Sequence, residues 1–297
     1  MKASFDCIPC LIRQTIEAAR LSSKNEDLQR DIINQVMHYL QEADFQVSPP
    51  ELGKQIFKIL QDLTGNVDPY KNVKLDFNRR ALSIYEELKR LVYMNDDPVF
   101  LAAKLALSGN FFHLYTVEMT KNIRQYIDAI QQKHFAVNDY FLFLDDFGSA
   151  RNILYLADNA GEIVFDKLFI EVLKRFYPER GHQFTVVVRG APIINDATME
   201  DAKLIDLEEV AQVIDNGDNA PATVLRHVSE KMQHYYKNAD LIISKGQGNF
   251  ETLHDEEKLI YFMFRVRCPV IAAEIRSPEG SLILKRSLRE VTTAKSI

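Results

Sequence analysis

The sequence predicts an α/β fold, in which a doubly wound, largely parallel, Rossmann-like sheet follows an N-terminal all-helical domain. Apolar residues recur at helical spacing through the first half of the chain, whereas short apolar runs rich in β-branched residues recur after residue 150. Helical patterns separate those runs, and strands that alternate with helices form parallel sheets. We therefore divide the chain into a helical domain, residues 1–148, and a Rossmann-like α/β domain, residues 149–297.

The first half contains a succession of amphipathic helices. Helical periodicity extends over residues 8–19, 28–40, 72–93, 97–108 and 115–133. One further helix start is defined by residue type, because Ser48 precedes two prolines and Glu51 follows three residues later, which is the pattern of a capping box. Gly109 lies where the helix that begins at residue 97 should end.

Five short apolar runs in the second half are predicted strands. They lie at residues 153–157, 184–188, 210–214, 241–243 and 270–273. Their shortness and β-branched content are typical of strands buried on both faces. Predicted helices occupy residues 162–176, 221–236 and 254–264. Because ligands of such sheets bind at the carboxyl ends of the strands, the residues that follow each run are the candidates for function.

Composition and charge exclude several classes of protein. The chain has 297 residues, of which 46% are hydrophobic, and this is enough for a sizeable core. Its net charge of −6 gives no field that would gather nucleic acid. No apolar run reaches the ~20 residues that a membrane span requires, and the N-terminus turns polar too early for a secretory signal. A cytoplasmic protein without a membrane partner is therefore expected, and its oligomeric state is unknown at this stage.

Oxygen-bearing side chains follow the first two strands. The motif DNAGE, residues 158–162, leads from the first strand directly into a helix, and Arg189 and Asp196 follow the second. The carboxylates of Asp158 and Asp196 and the amide oxygen of Asn159 are hard ligands that suit Mg²⁺ or Mn²⁺ when water completes the coordination. The free N–H groups at the start of the helix after the motif favour an anion at the same edge.

A lysine in a glycine-rich segment follows the fourth strand. Lys245 supplies a compact cation, and Gly246 and Gly248 let the backbone approach a phosphate closely. A metal, this lysine and the helix start would together hold a phosphoryl group and stabilise the charge that shifts during its transfer. Each motif alone is typical of an ordinary turn or helix cap. Their occurrence at successive strand ends is what indicates a site.

Two other functions stay open as alternatives. Cys7 and Cys10 form a candidate redox pair or half of a zinc site, which would make the chain a redox or binding module. Only Cys268 is available as a further thiol, so a four-ligand zinc site is weakly supported. A Rossmann-like small-molecule methyltransferase is the other alternative, although no glycine-rich loop follows the first strand.

The motifs in combination resemble the damage-control phosphatases, the family also known as domain of unknown function eighty-nine, in its archaeal and bacterial branch with an N-terminal CxxC. The resemblance spans nearly the whole chain. It rests on residues 158–166, 189–198, 245–251 and 108–110 and on the pair Cys7 and Cys10. It implies a metal-dependent phosphomonoesterase that uses Mg²⁺ or Mn²⁺, or Co²⁺ or Ni²⁺, and that acts on sugar phosphates or damaged phosphometabolites.

The resemblance also implies roles for individual residues. Asp158, Asn159 and Asp196 would hold the metal. Phosphate would be bound by Asn110, Arg189 and Lys245, with Gly246 beside them, and Asp158 and Glu162 would act in catalysis. One loop departs from the family pattern, because related sequences carry other residues at the positions of Asn219 and Ala222. The resemblance therefore does not identify the substrate. Hydrolysis by water and a covalent aspartyl-phosphate on Asp158 both remain possible.

Overall fold

The computed structural model describes residues 1–108 and 123–287, in which seven strands form one sheet. The strands are β1 Phe135–Asn138, β2 Asn152–Leu156, β3 Gln183–Val188, β4 Gln212–Asp215, β5 Leu241–Lys245, β6 Ile260–Arg265 and β7 Leu282–Arg286. Their order across the sheet is β1-β7-β6-β5-β2-β3-β4, and only β6 and β7 are antiparallel. The predicted largely parallel α/β sheet is therefore confirmed.

The direction of winding reverses at β2. From β2 the chain proceeds outward through β3 and β4, and it then returns so that β5 pairs with the other side of β2. Such a reversal leaves a crevice at the carboxyl ends of the strands, where open α/β sheets bind their ligands. The end of β2 is thus the position in this sheet at which a ligand is most expected.

Helices cover both faces of the sheet. They are α1 Ile8–Ser22, α2 Glu26–Glu42, α3 Pro49–Thr64, α4 Lys71–Ser83, α5 Tyr85–Tyr93, α6 Pro98–Ser108, α7 Ile123–Gln132, α8 Tyr140–Ser149, α9 Glu162–Phe176, α10 Met199–Leu204, α11 Glu230–Asn238, α12 Gln247–Leu253 and α13 Pro269–Ile275. The capping box at the start of α3 is present, as predicted. None of these helices has the length and apolar character needed to cross a bilayer.

Alternating side chains of each strand pack into two separate cores. Ile153 and Tyr155 of β2 point into a large core that α5, α6, α8 and α9 also line. Leu154 and Leu156 point to the opposite face, where α11, α12 and α13 complete a second core. Burial on both faces explains why the strands read as continuous apolar runs in the sequence.

The first three helices form a body of their own that also touches the sheet's loops. Residues of α1, α2 and α3 share two small cores, and Ile193, from the loop after β3, lies in one of them. The division of the chain at residue 148 stays a prediction. Residues 1–148, predicted to be all helical, also contain a strand. Phe135–Asn138 form the edge strand β1, which pairs with β7.

Two elements in the second half were assigned wrongly. Residues 270–273, predicted as a strand, lie in α13, whose start is fixed by Pro269 at a position where proline favours a helix. Residues 254–264, predicted as a helix, contain most of β6, which pairs with β5 and β7 and whose aromatic side chains are buried in the two cores. Short apolar runs carry too few turns for their period to separate the two structures.

Other helix boundaries differ in detail. The predicted helix 72–93 is two helices, which meet at Ile84, and only residues 230–236 of the predicted helix 221–236 are helical, as the first part of α11. Helix α9 begins and ends at the predicted residues 162 and 176. Gly109 and much of the predicted helix 115–133 lie outside the described residues.

The junction between the helical part and the first central strand should resist proteases. Phe147 and Ala150 are buried, and the N–H groups of Arg151 and Asn152 donate to the Asp240 carboxylate at 3.0 and 2.7 Å. Native trypsin digestion followed by mass spectrometry should therefore show much slower cleavage at Arg151 than after Lys24, in the turn between α1 and α2. Equal rates at the two sites would show that the junction is a linker.

Candidate active site

Backbone hydrogen bonds join the loops that follow β2 and β3. The N–H of Ala197 donates to the carbonyl of Asp158 at 2.8 Å, and Asn159 and Asp196 form an isolated β-bridge. The side chains of Asp158, Asn159 and Asp196 are therefore carried on directly paired backbone segments. The three residues predicted to hold a metal lie together at the reversal point of the sheet.

Arg189, at the end of β3, is a buried cation beside both aspartates. Its Nε donates to Asp196 at 2.7 Å, and its Nη2 lies 4.0 Å from Oδ1 of Asp158. Its Nη1 contacts the Thr223 hydroxyl at 3.5 Å. Within the described residues Nη2 is buried and has no hydrogen-bond partner. A buried donor without a partner is costly, so this nitrogen is available to a bound anion.

Lys245, at the end of β5, is fully buried and makes three hydrogen bonds within the protein. Its ammonium donates to Glu162 at 2.7 Å, to Asp166 at 2.6 Å and to the Ala106 carbonyl of α6 at 2.9 Å. An ammonium has three N–H groups, so these bonds fill its capacity. A contact with phosphate would require Lys245 to exchange one of these partners. Asn110, which follows α6, lies outside the described residues.

Asn159 connects the carboxylates of Asp158 and Glu162. Its Nδ2 donates to Asp158 at 2.5 Å and to Oε2 of Glu162 at 3.3 Å. In this arrangement the amide nitrogen faces Asp158, and a metal bound there would require the amide to turn its oxygen inward. Hydrogen-bonded contacts thus run without a break from Lys245 through Glu162 and Asn159 to Asp158.

The site carries more buried negative charge than its cations offset. Burial raises the pKa of Asp158 well above its usual range, the carboxylates of Asp196 and Glu162 add to the rise, and Arg189 opposes it. Burial also raises the pKa of Asp196, again against the effect of Arg189. A hard divalent cation would relieve this repulsion, and carboxylate and amide oxygens are ligands of the kind it prefers.

The predicted donor set for a metal is small. Among residues 1–108 and 123–287, no group of three or more His, Cys, Asp or Glu side chains is arranged to hold a metal ion. Asp158, Asp196 and Asn159 offer two carboxylates and one amide. Such a set fits Mg²⁺ or Mn²⁺, because Mg²⁺ in particular usually keeps several waters and is bound by one or two carboxylates together with substrate phosphates.

Gly246 leaves room for the Asp158 carboxylate. Its φ is +83°, and a Cβ at this position would lie 2.3 Å from Cγ of Asp158. The N–H of Gly246 donates to the Met263 carbonyl of β6 at 3.1 Å. In this structure the backbone amide of Gly246 is therefore engaged within the sheet, and the missing side chain is what serves the site.

Several buried polar residues that support the site were not predicted from the sequence. Asn78 of α4 accepts from the N–H of Gly161 at 2.6 Å, which satisfies the backbone just before α9. Asp166 of α9 accepts from the Tyr155 hydroxyl at 2.6 Å. Both Asn78 and Asp166 are polar residues at buried positions of a helix, and this mismatch with the apolar pattern is the signal that could have found them.

The thiols of Cys7 and Cys268 show no sign of activation. Burial raises the pKa of the Cys7 and Cys268 thiols, whereas reactive cysteines have a lowered pKa. All three cysteines of the chain are free. This environment gives no support to a redox function of the Cys7 and Cys10 pair.

Comparisons with known proteins agree on one family. Residues 3–283 match the family model described as the damage-control phosphatase ARMT1-like domain. A damage-control phosphatase of Pyrococcus horikoshii is 29% identical over 97% of this chain and 99% of its own length. One of Archaeoglobus fulgidus is 31% identical over 96% and 99%. The crystal structure of a DUF89 family protein from Pyrococcus horikoshii matches with a TM-score of 0.89, at 29% identity over 97% and 99% of the two chains.

Substitution of Gly246 should reveal the close approach to Asp158. Gly246→Ala should lower the free energy of unfolding by about 3 kcal/mol or more, because it combines a backbone conformation reserved for glycine with overpacking. Gly65→Ala is the matched control, since Gly65 has a φ of +65° but open space around its Cβ position. It should cost about 1–2 kcal/mol. Urea unfolding measures both, and equal costs would contradict the contact.

Proposed function

The chain belongs to the ARMT1-like damage-control phosphatase family, and from this premise we propose that it is a metal-dependent hydrolase of small phosphomonoesters. Its substrates are sugar phosphates or damaged phosphorylated metabolites. The observation that carries the proposal is that two repelling carboxylates, Asp158 and Asp196, lie beside a buried nitrogen of Arg189 that makes no hydrogen bond within the described residues. The carboxylates attract a divalent cation, and the guanidinium attracts a phosphoryl group. The site therefore offers a partner both to the metal and to the phosphate of a phosphomonoester.

Asp158, Asp196 and Asn159 are the residues that would hold the cation. Mg²⁺ or Mn²⁺ suits their oxygen atoms, and Co²⁺ or Ni²⁺ are further possibilities that the family allows. When bound, the cation supplies Lewis acidity toward the phosphoryl oxygens. Without the cation, the amide nitrogen of Asn159 connects Asp158 and Glu162, and with the cation its oxygen would be the ligand.

Arg189 is the proposed phosphate ligand. Its Nε is fixed by Asp196 at 2.7 Å, so the guanidinium plane is oriented and Nη2 can donate to a phosphoryl oxygen without a loss of rotamer freedom. Lys245 adds a positive charge close by, and it reaches phosphate if it gives up one of its three acceptors. Asn110 completes the proposed phosphate-binding set, and Gly246 serves it by leaving room for the Asp158 carboxylate.

Glu162 is the proposed proton acceptor. Its Oε1 is fixed by Lys245 at 2.7 Å, whereas among the described residues its Oε2 makes only the longer contact with Asn159 at 3.3 Å. A proton acceptor must lie within hydrogen-bond reach of the proton that it takes up, and Oε2 is the oxygen of Glu162 that Lys245 leaves open to the site. Asp158 either orients the phosphoryl group or attacks it directly, and acid quench of a reaction with ³²P-labelled substrate separates the two, because only direct attack leaves a labelled acyl phosphate on Asp158.

An assay of purified protein tests the function. We expect hydrolysis of p-nitrophenyl phosphate and of some members of a sugar-phosphate panel with Mg²⁺, Mn²⁺, Co²⁺ or Ni²⁺, and loss of activity with a chelator. Inactivity against every phosphomonoester with every metal would contradict the proposal. Neither a methyltransferase nor a redox module has a comparable observation in its favour, and transfer of a methyl group from S-adenosylmethionine would revive the former.

Replacement of Asp158 should remove activity but not the fold. Asp158→Ala and Asp158→Asn should lower kcat/KM by about 10²–10³-fold or more and weaken Mn²⁺ binding. Their unfolding midpoints should not fall, because the burial and repulsion that raise the pKa of Asp158 make its charge unfavourable to folding. Asp240→Asn, at the opposite end of the sheet, is the control that should keep full activity. A folded and fully active Asp158→Ala protein would disprove the assignment.

Replacement of Arg189 should weaken phosphate binding. Arg189→Lys keeps the charge but loses the planar fork, so inhibition by inorganic phosphate should weaken and kcat/KM should fall about 10²-fold. Arg286→Lys is the matched control, because Arg286 forms a similar pair with Asp146 at 2.8 Å outside the site. Equal kinetics of the two variants would show that Arg189 only stabilises the fold.

A further inference from the structure

We propose that Tyr155 and Asp166 are positioning residues, which fix the Lys245 ammonium against Glu162 at the edge of the active site. This inference rests on the proposed function and extends it to two residues that lie behind the site, in the core of the protein. Neither residue reaches the crevice at the strand ends. Their effect on the reaction is therefore exerted through Lys245.

The contacts converge on one oxygen atom. Oδ1 of Asp166 accepts from the Tyr155 hydroxyl at 2.6 Å and from the Lys245 ammonium at 2.6 Å. Lys245 in turn donates to Glu162 at 2.7 Å. Hydrogen bonds to an ionised group are short and directional, so each bond restricts the next. The Tyr155 hydroxyl thus restricts the position of Asp166, Asp166 restricts Lys245, and Lys245 restricts the Glu162 carboxylate, the proposed general base.

The positions in the fold make this arrangement stiff. Tyr155 and Lys245 lie on the neighbouring strands β2 and β5, and Glu162 and Asp166 lie one turn apart on α9. The side chains of Tyr155, Asp166 and Lys245 are fully buried. A strand pair and a helix packed on it therefore hold the lysine from two sides, with the Ala106 carbonyl as its third partner.

The second oxygen of Asp166 indicates that packing alone does not explain this residue. Oδ2 is buried and has no hydrogen-bond partner among the described groups. An unsatisfied buried carboxylate oxygen is unfavourable, and an apolar residue would often fill such a space at lower cost. Asp166 is oriented to serve Tyr155 and Lys245 through Oδ1, while Oδ2 is left without a bond. That is expected of a residue whose role is to hold a lysine.

Removal of one hydroxyl tests the proposal with little risk to the fold. Tyr155→Phe should lower kcat about 10-fold with little change in KM, because Glu162 acts in the transition state and loses its fixed partner. Tyr140→Phe is the matched control, since the buried Tyr140 donates to Asp97 at 2.9 Å away from the site. Both variants lose one phenol–carboxylate bond and should have similar unfolding midpoints, but Tyr140→Phe should keep the wild-type kcat.

Asp166→Asn tests the same contact more strongly. It preserves the shape of the side chain but removes the charge that holds Lys245, so kcat should fall about 100-fold. If Tyr155→Phe and Asp166→Asn have the kcat of Tyr140→Phe, the proposal is wrong and the two residues only stabilise the core.

A measurement without substrate separates this proposal from the proposed function. In protein labelled with ¹⁵N at lysine Nζ, the buried Lys245 ammonium should give a slowly exchanging signal, assigned by its loss in Lys245→Arg. Tyr155→Phe should shift this signal and speed its exchange, whereas Tyr140→Phe should not. If the wild type hydrolyses no phosphomonoester but the signal responds as expected, the proposed function fails and the positioning of Lys245 stands. An unchanged signal in Tyr155→Phe overturns the positioning itself.

Discussion

Burial of like charges at one point of the sheet is the constraint on which the site depends. The carboxylates of Asp158, Asp196 and Glu162 lie close together, and burial with mutual repulsion raises the pKa of the two aspartates. Arg189 pairs with Asp196, but Lys245 is shared between Glu162 and Asp166. The remaining negative charge is unfavourable until a cation binds, so we regard it as the source of the site's affinity for a metal.

The fold holds these charges in place with elements from both parts of the chain. Strands β5, β2 and β3 are adjacent at the centre of the sheet. Lys245 is the last residue of β5, Asp158 lies in the segment after β2, and Arg189 directly follows β3. Helix α4 contributes Asn78, which satisfies the backbone just before α9, and α6 contributes a carbonyl to Lys245. The N-terminal helices therefore do more than cover the sheet, because they supply polar partners that the strand ends lack.

Much of this arrangement could be predicted from the sequence, since strand-end motifs are local and parallel strands end at one edge. The β-branched content of the runs at β2, β3 and β5 predicts these strands, and the helical period of residues 162–176 predicts α9. The sequence could not separate β6 from α13, because short apolar runs fit either structure. It also could not pair Asp166 with Lys245, which are 79 positions apart, since such contacts depend on the packing of α9 against β5.

Diffraction from crystals soaked in Mn²⁺, recorded for its anomalous signal, tests the central claim most directly. The account predicts an anomalous peak within coordination distance of the Asp158 and Asp196 carboxylates, with the Asn159 amide turned so that its oxygen faces the ion. The same peak should be absent from Asp158→Asn crystals. An ion bound at Cys7 and Cys10 instead, or none near the strand ends at a concentration that supports activity, would contradict the account.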